Sequence, residues 1–290
     1  MLQTALAMRT TTLRLGTGVI VLPWHNPVLL AEQAATLDQI SRGRLDFGVG
    51  RGYRHNEFAG FRIPMEEAEP RFEESMEVMT RAFVSRQRFS HRGRFWQFDD
   101  IVVEPPPSQR PHPPFWVAAG SENSIRRAAK RGFNLILDQY ASPELLGQRI
   151  AMYRSELEAA GGRFDPMRVA VARQAYVASD PADKAAAMKK QEDSNARTIA
   201  AARSPDGKVG SHILSYAATP GGTLANTLIG TREEICESLT ALSKAGVAYV
   251  LLTILGGKPQ LQRFAREIMP AFPVKPEPRD ATAARQIAPA

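Results

Sequence analysis

The 290-residue sequence contains a single cysteine, Cys236. One cysteine excludes an intrachain disulfide and any cysteine-based zinc site. Cys236 lies within the helical pattern TREEICESLTALSKAG, which favours a packed thiol over a nucleophile. We therefore expect the thiol to be reduced, as it is in cytoplasmic proteins.

Long apolar runs are also missing. No stretch approaches the roughly 18 apolar residues that a membrane-spanning helix needs. The N-terminal stretch MLQTALAMRTTTLRLG lacks the long apolar core of a signal peptide. These absences indicate a soluble cytoplasmic protein that has no membrane partner.

The chain has no concentrated run of basic residues, although its 37 basic and 30 acidic residues give a formal charge of +7. Nucleic-acid-binding proteins gather their lysines and arginines, often between aromatic residues. Here the arginines are spread along the chain, which favours a mildly basic surface. We expect no nucleic-acid partner, although an anionic cofactor or substrate would benefit from the positive field.

Patterns typical of metal sites and hydrolases are absent as well. His91, His112 and His212 show no mutual spacing that would suit a metal ion. No Gly-x-Ser-x-Gly nucleophile elbow occurs. The sequence therefore predicts neither a metal centre nor a hydrolytic triad.

What the sequence does contain is a repeated alternation of strand and helix patterns. Strands are predicted at 13–22, 44–49, 115–119, 133–138, 167–178 and 247–254, and each is followed by a helix. Such alternation implies a parallel sheet, either doubly wound or closed as a barrel. A (β/α)₈ barrel needs eight strands, and this chain opens inside a helical pattern, LQTALAM. We expect an α/β protein with a TIM-like (β/α) barrel that is incomplete at its N-terminus.

Three further segments complete the predicted organisation. A hairpin is expected over 88–105, with its turn near Arg92 and Gly93. Residues 204–228 contain several glycines and serines and are predicted to form an insertion before the last strand and helix units. The barrel should form one domain over 1–272, and the Pro- and Ala-rich tail over 273–290 is expected to be disordered.

Two turns of this predicted barrel suggest an anion site. The stretch GVGRG (48–52) ends a strand on glycines and places Arg51 in the turn. Glycines let backbone N–H groups approach an anion, and a guanidinium matches phosphate geometry. The spacing is neither that of a dinucleotide-binding loop nor that of a Walker A loop. A tight turn with a solvated arginine therefore stays open as the alternative.

The second turn lies in WVAAGSENSIRRAAKRG. Gly120 ends the strand, and a helix begins near Ser121 or Ser124. A helix N-terminus presents free N–H groups and the positive end of the helix dipole to an anion. In a parallel barrel both turns lie at the carboxyl ends of strands, where ligands bind. The two turns are predicted to hold one phosphate between them.

The motif SRGR-x-x-F-G-x-G-x-G (41–52), followed by E-F-x-x-F (57–61), resembles the bacterial luciferase-like family of flavin-dependent monooxygenases. The similarity runs from LGTGVIVLPWHNP through PPFWVAAGSENS to the GTREE helix and its strand, so it covers most of the chain. It implies a TIM-like barrel that binds FMN or, in some branches, a deazaflavin. Family members begin with a strand, a helix and a second strand that this chain lacks. We expect a misassigned start, a fragment or a degenerate relative.

The resemblance also implies roles for individual residues. Arg51 would contact the flavin phosphate from one side. Gly120, Ser121 and Ser124 would contact it from the other, through backbone groups and hydroxyls. Glu57 would lie near the flavin and substrate. A cis peptide under the flavin ring is expected, and Gly18–Val19 is the candidate.

Other residues near these turns carry less specific signals. His25, in PWHNP, either lines the substrate pocket or bonds the local backbone. His55 is a candidate general base or ring contact, and a solvated loop histidine is the alternative. Tyr53 either stacks near the cofactor or supports its turn. Trp116, in a predicted buried strand, is expected in the core.

The activity that the resemblance implies is two-component monooxygenation. A separate flavin reductase would supply reduced FMN, which reacts with dioxygen, and the substrate would be a small apolar organic molecule. Family members often form homodimers. Two alternatives stay open: a hydride-transfer enzyme that uses a deazaflavin, and a flavin-binding protein without turnover, which the missing N-terminal strands motivate.

Overall fold

A computed structural model describes residues 1–203, 212–216 and 221–273. The helices are α1 Leu2–Arg9, α2 Pro27–Ser41, α3 His55–Gly60, α4 Ala68–Val84, α5 Glu122–Lys130, α6 Pro143–Ala159, α7 Pro181–Ala202, α8 His212–Ser215, α9 Arg232–Lys244 and α10 Gly257–Glu267. The strands are β1 Leu15–Gly16, β2 Ile20–Val21, β3 Leu45–Gly50, β4 Phe89–Arg92, β5 Gln97–Ile101, β6 Phe115–Ala118, β7 Asn134–Leu137, β8 Val169–Val177, β9 Leu228–Gly230 and β10 Tyr249–Ile254.

The main sheet is parallel and follows the order β1-β3-β6-β7-β8-β10, with β2 also paired to β3 and β9 also paired to β8. It curves into a half-barrel surrounded by helices. Strands β4 and β5 form the predicted separate antiparallel hairpin. The parallel (β/α) architecture predicted from the sequence is confirmed. It sets the carboxyl ends of the strands side by side, where the loops build a site.

The first predicted strand, 13–22, is interrupted by a bulge. Gly16 pairs with Asp46 on β3, and Ile20 pairs with Val49. The first strand therefore uses four steps where β3 uses three, so it contains one extra residue. The Thr17 hydroxyl fills the gap, since it accepts a hydrogen bond from the Gly48 N–H at 2.8 Å. The prediction of one continuous strand was therefore wrong, because a side chain replaces the backbone ladder here.

One strand escaped the sequence analysis. Strand β9 pairs with β8 through Leu228 opposite Ala175, and it begins at the last residue of the predicted insertion. A run of three residues is too short to show a strand periodicity. The structure describes the short helix α8 and 221–227 within that insertion, whereas 204–211 and 217–220 lie outside the described residues. All but the first residue of the predicted tail also lies outside them.

The core lies between the outer face of the sheet and the helices. Alternate strand residues such as Phe47, Phe115 and Leu135 are almost fully buried there. Trp116 instead points to the inner face, where it is half-buried and donates from Nε1 to Asp46 Oδ1 at 3.2 Å. The expectation that Trp116 is a core residue was wrong, because its neighbour Phe115 faces the core and successive strand residues point to opposite faces.

Helix starts follow the sequence signals. Asn26 caps α2 by accepting from the backbone N–H groups of two following residues. Thr231 and Glu234 form the predicted capping box at α9. No helix in the described part of the chain is long and apolar enough to cross a membrane. Among the same residues, no group of three or more His, Cys, Asp or Glu side chains is placed to hold a metal ion.

Candidate active site

A cavity of about 810 Å³ opens at the carboxyl ends of β2, β3, β6 and β7. It brings together most of the residues that the sequence singled out, although they come from three separate segments. These lining residues are Gly18, Val19, Arg51, Tyr53, Glu57, Gly120, Ser121 and Ser124. The volume falls in the range of sites that bind small molecules and cofactors.

One end of the cavity carries the two turns that the sequence analysis singled out. Arg51 follows β3, and Ser121 caps α5 by accepting from the Ser124 N–H at 3.4 Å. The Ser121 and Ser124 hydroxyl oxygens lie 2.9 Å apart, so both point to the same place. The structure thus brings the two turns together on one cavity, as the sequence analysis expected. Their contact with a phosphate stays a prediction.

Charged residues that the sequence analysis missed surround Arg51. Arg51 Nη1 lies 2.5 Å from Glu69 Oε2 on α4, and Arg127 on α5 contacts the other oxygen of Glu69. Glu73 pairs with Arg127 at 3.5 Å and with Arg131 at 2.6 Å. Two facing helices therefore carry an alternating row of charges along the cavity. Arg127 lies three positions after Ser124, on the same helix face, but nothing in the sequence indicated α4 as its neighbour.

The glycines in the second half of β3 and just after it have a packing role that the sequence analysis did not foresee. A Cβ at Gly48 would lie 1.7 Å from the Thr17 carbonyl oxygen, and a Cβ at Gly50 would lie 2.7 Å from Val19 Cγ2. Gly52 has a φ of 81°, a left-handed conformation that favours glycine. These glycines let the bulged first strand lie directly against β3. The backbone approach to an anion that we expected of them is therefore not needed to explain them.

The bulge carries Gly18 and Val19 into the cavity wall. The peptide bond between them is cis, as the resemblance led us to expect. Thr17 holds the bulge from one side, because its hydroxyl also donates to the Gly48 carbonyl at 2.6 Å. The backbone at this position is thus fixed by side-chain hydrogen bonds rather than by the strand ladder.

The other end of the cavity is polar and aromatic. Glu57 lies in the first turn of α3, and Arg54 donates to its Oε1 at 3.1 Å. The Arg54 guanidinium also lies over the ring of Tyr53, 5.7 Å from its centre. Tyr140 comes from the loop after β7, and burial raises the pKa of its phenol. The phenol therefore remains a neutral hydrogen-bond donor at physiological pH.

Two predicted histidines do not line this cavity in the described part of the chain. His25 is exposed, and its backbone N–H donates to the Leu22 carbonyl at 3.0 Å. Its neighbour Trp24 lines the cavity instead and stacks on Phe61, with ring centres 4.9 Å apart. The short 3₁₀ turn at Leu22–Trp24 causes this exchange, since it rotates the chain before α2. His55 is the half-buried first residue of α3.

A buried arginine supports the loop that carries Tyr140. Arg173, on β8, is 1% exposed and donates to the carbonyls of Asp138 at 3.1 Å and Ala141 at 2.7 Å. Burial lowers the pKa of Arg173 to about 10. The Asp138 carboxylate accepts from Arg149 Nη1 at 2.8 Å. This network fixes the cavity wall. No motif in the sequence predicted it.

Comparison with known sequences identifies relatives of this chain. The sequence profile of the family described as luciferase-like monooxygenase matches residues 1–249. The oxygenase component of flavin-dependent trigonelline monooxygenase from Acinetobacter baylyi is 30% identical, over 92% of this chain and 78% of its own. An FMNH₂-dependent dimethylsulfone monooxygenase from Pseudomonas putida is 28% identical, over 92% and 76%.

Solved structures show the same fold. Monooxygenase RslO1 from Streptomyces bottropensis matches with a TM-score of 0.79 and 25% identity, over 93% of this chain and 82% of its own. An F420-dependent secondary alcohol dehydrogenase, solved with an F420-acetone adduct, matches with a TM-score of 0.74 and 19% identity, over 93% and 82%. At that identity the second likeness concerns the fold alone.

Proposed function

Because this chain belongs to the luciferase-like monooxygenase family, we propose that it is the oxygenase component of a two-component system. It uses reduced FMN and dioxygen to oxidise a small organic substrate. The observation that carries the proposal is the meeting of Arg51 with Ser121 and Ser124 at one end of a cavity of about 810 Å³.

The residues present fit a phosphorylated flavin. A guanidinium and two hydroxyls at one end suit a phosphate monoester, which needs several charge-assisted donors. Beyond them the wall becomes apolar, with Val117, Ala118 and Leu137 from adjacent strands. A planar ring system suits this part of the cavity. Gly18 and Val19 would lie against one face of the ring.

The protein residues bind, orient and exclude water. When bound, the reduced flavin would supply the electrons that activate dioxygen. The apolar strand residues and Phe72 keep bulk water from that region. Glu57 is held by Arg54 with its carboxylate in the cavity wall, where it can accept a hydrogen bond or a proton from the substrate. The apolar character expected of the substrate stays a prediction, since this end of the cavity is polar.

A separate flavin reductase is part of the proposal, because the Acinetobacter baylyi relative is named as an oxygenase component. Two copies of this chain are also proposed to pair. The exposed apolar side chains of Leu2, Leu6 and Met8 on α1 and of Leu29 and Ile40 on α2 support pairing through these helices. Analytical ultracentrifugation would contradict this part if it gave only the monomer mass.

A deazaflavin is the second candidate cofactor, since the F420-dependent dehydrogenase has the same fold. A deazaflavin that carries a phosphate would use the same anion end, so the geometry alone does not select between them. Binding titrations with FMN and with a deazaflavin separate the two. We expect the purified chain to prefer FMN.

The test of activity is oxygen consumption. The purified protein is mixed with a flavin reductase, NADH and FMN, and dioxygen uptake is compared with and without the chain, together with product formation from a panel of small substrates. A substrate-dependent increase in uptake supports the proposal. Flavin binding without substrate oxidation would favour a non-catalytic flavin-binding protein, and absence of flavin binding would overturn both.

A further inference from the structure

The carboxylate of Glu69 lies between two arginines at the anion end of the cavity. Its Oε2 is 2.5 Å from Arg51 Nη1, and its Oε1 contacts Arg127 Nη2. All three residues line the cavity together with Ser121 and Ser124. A carboxylate with both oxygens bound by guanidinium groups makes the same kind of charge-assisted contacts that a phosphate would make with these arginines.

The positive charges that a phosphate needs are therefore already paired. Arg51 is committed to Glu69, and the Ser121 and Ser124 hydroxyls are hydrogen-bonded to each other. A phosphate that entered beside Glu69 would meet a like charge at close range, which is unfavourable. A phosphate therefore gains the full charge of both arginines only by taking the place of the Glu69 carboxylate.

Glu69 is able to leave. The Glu69 side chain is 35% exposed, so water can solvate its carboxylate when it moves away from the arginines. It belongs to the first turn of α4, where a carboxylate is also stabilised by the helix dipole without a specific partner. A phosphate monoester carries a charge of about −1.5 to −2, against −1 for a carboxylate, so both arginines gain by the exchange.

We propose that Arg127 is a second phosphate-binding residue and that Glu69 is an internal competitor, which occupies the anion subsite until the cofactor phosphate displaces it. This inference rests on the proposed flavin site. Together the two arginines select phosphorylated flavins, because only a phosphate repays the loss of the contacts to Glu69. Riboflavin, which has no phosphate, leaves Glu69 in place.

The experiment measures the dissociation constants of FMN and riboflavin by fluorescence quenching, with the full chain. Glu69→Gln removes the competing charge, and Arg127→Ala removes the second cation. The matched controls are Arg126→Ala and Glu66→Gln. Arg126 is the neighbouring α5 residue, which pairs with Glu156 and is similarly exposed, and Glu66 is exposed and lies just before α4.

We expect Glu69→Gln to tighten FMN binding by about tenfold and Arg127→Ala to weaken it by about tenfold, the usual scale for one charge-assisted contact. Riboflavin affinity should change by less than about twofold in both, and both controls should match the wild type for both flavins. If Arg127→Ala does not fold, Glu69→Gln alone decides, because the competitor role predicts tighter FMN binding whereas a structural role predicts weaker binding.

A weaker FMN affinity in Glu69→Gln would overturn the inference. If Glu69 serves to orient the arginines, Glu69→Gln weakens FMN binding. Equal FMN affinities for Arg127→Ala and Arg126→Ala would also contradict it. A wild type that prefers FMN to riboflavin, with variants that do not respond, leaves the flavin site standing and removes only this inference. A wild type that binds neither flavin removes both.

Discussion

The hydroxyl of Thr17 takes the place of a backbone partner for Gly48, because it accepts from the Gly48 N–H at 2.8 Å and donates to the Gly48 carbonyl at 2.6 Å. This pair joins the bulged first strand to β3. It thereby places Gly18 and Val19 in the cavity wall. Together with the ladder pairs on either side of the bulge, this contact sets the geometry of the candidate flavin site.

Thr17→Val should disturb the site more than Thr17→Ser does. Valine keeps the shape but leaves both Gly48 backbone groups without these partners, which typically costs about 1–3 kcal/mol. Serine retains the hydroxyl. We expect chemical denaturation to show the loss for valine only, together with weaker FMN binding. Equal stability of the two variants would show that the hydroxyl is not needed.

Gly48→Ala should destabilise the protein strongly. Its Cβ would lie 1.7 Å from the Thr17 carbonyl oxygen, so the two strands must separate. Overpacking of this kind costs about 1–3 kcal/mol or more. Gly60→Ala is the control, because a Cβ there has no atom of this kind within 4 Å. Thermal unfolding midpoints for the two variants would be the measurement, and similar midpoints would refute the packing role.

Arg173→Leu should destabilise the fold and loosen the loop that carries Tyr140. The change leaves the Asp138 and Ala141 carbonyls without their donor in a buried place, and such losses cost about 2–4 kcal/mol. Arg154→Leu is the control, since the Arg154 side chain is exposed and its partners, Glu158 and the Phe164 ring, lie at the surface or are only partly buried. The free energy of unfolding in urea, measured for both variants, tests the loss of stability. Faster hydrogen exchange of the Tyr140 backbone N–H in Arg173→Leu would show that the loop is looser.

Stability should fall in acid partly through Glu234. The hydrogen bond from Lys184, followed by that from the Thr231 backbone N–H, lowers the pKa of this carboxyl. A carboxyl with a lowered folded-state pKa stabilises the fold above its unfolded pKa, and that stabilisation is lost as the pH falls through the folded-state value. Glu234→Gln should therefore lose less stability than the wild type between pH 6 and pH 3. Parallel pH profiles of the unfolding free energy would argue against this.

The sequence was sufficient to predict the alternating strands and helices, because apolar periodicity and helix caps are local signals. It also placed Arg51 and Ser121 at the ends of parallel strands, which meet at one edge of a sheet. The cis bond at Gly18–Val19 came from the family resemblance rather than from the residues themselves.

Contacts between distant segments could not be predicted. The Thr17–Gly48 pair depends on how two strands approach, and the bridge from Glu69 to Arg127 depends on how α4 faces α5. Neither contact leaves a local pattern. The choice of Trp24 over His25 as a cavity residue was decided by one turn of 3₁₀ helix, which rotates adjacent side chains to different sides.

The most direct test of the account is the affinity of Arg51→Ala for FMN, measured by isothermal titration calorimetry beside Arg88→Ala. Arg88 lies in the separate hairpin region and pairs with Asp100 at 3.7 Å. Loss of one charge-assisted contact of about 1–3 kcal/mol predicts that Arg51→Ala weakens FMN binding by about 5- to 150-fold. The Arg88→Ala variant should bind like the wild type. An unchanged affinity in Arg51→Ala would contradict the assignment of this end of the cavity to the flavin phosphate.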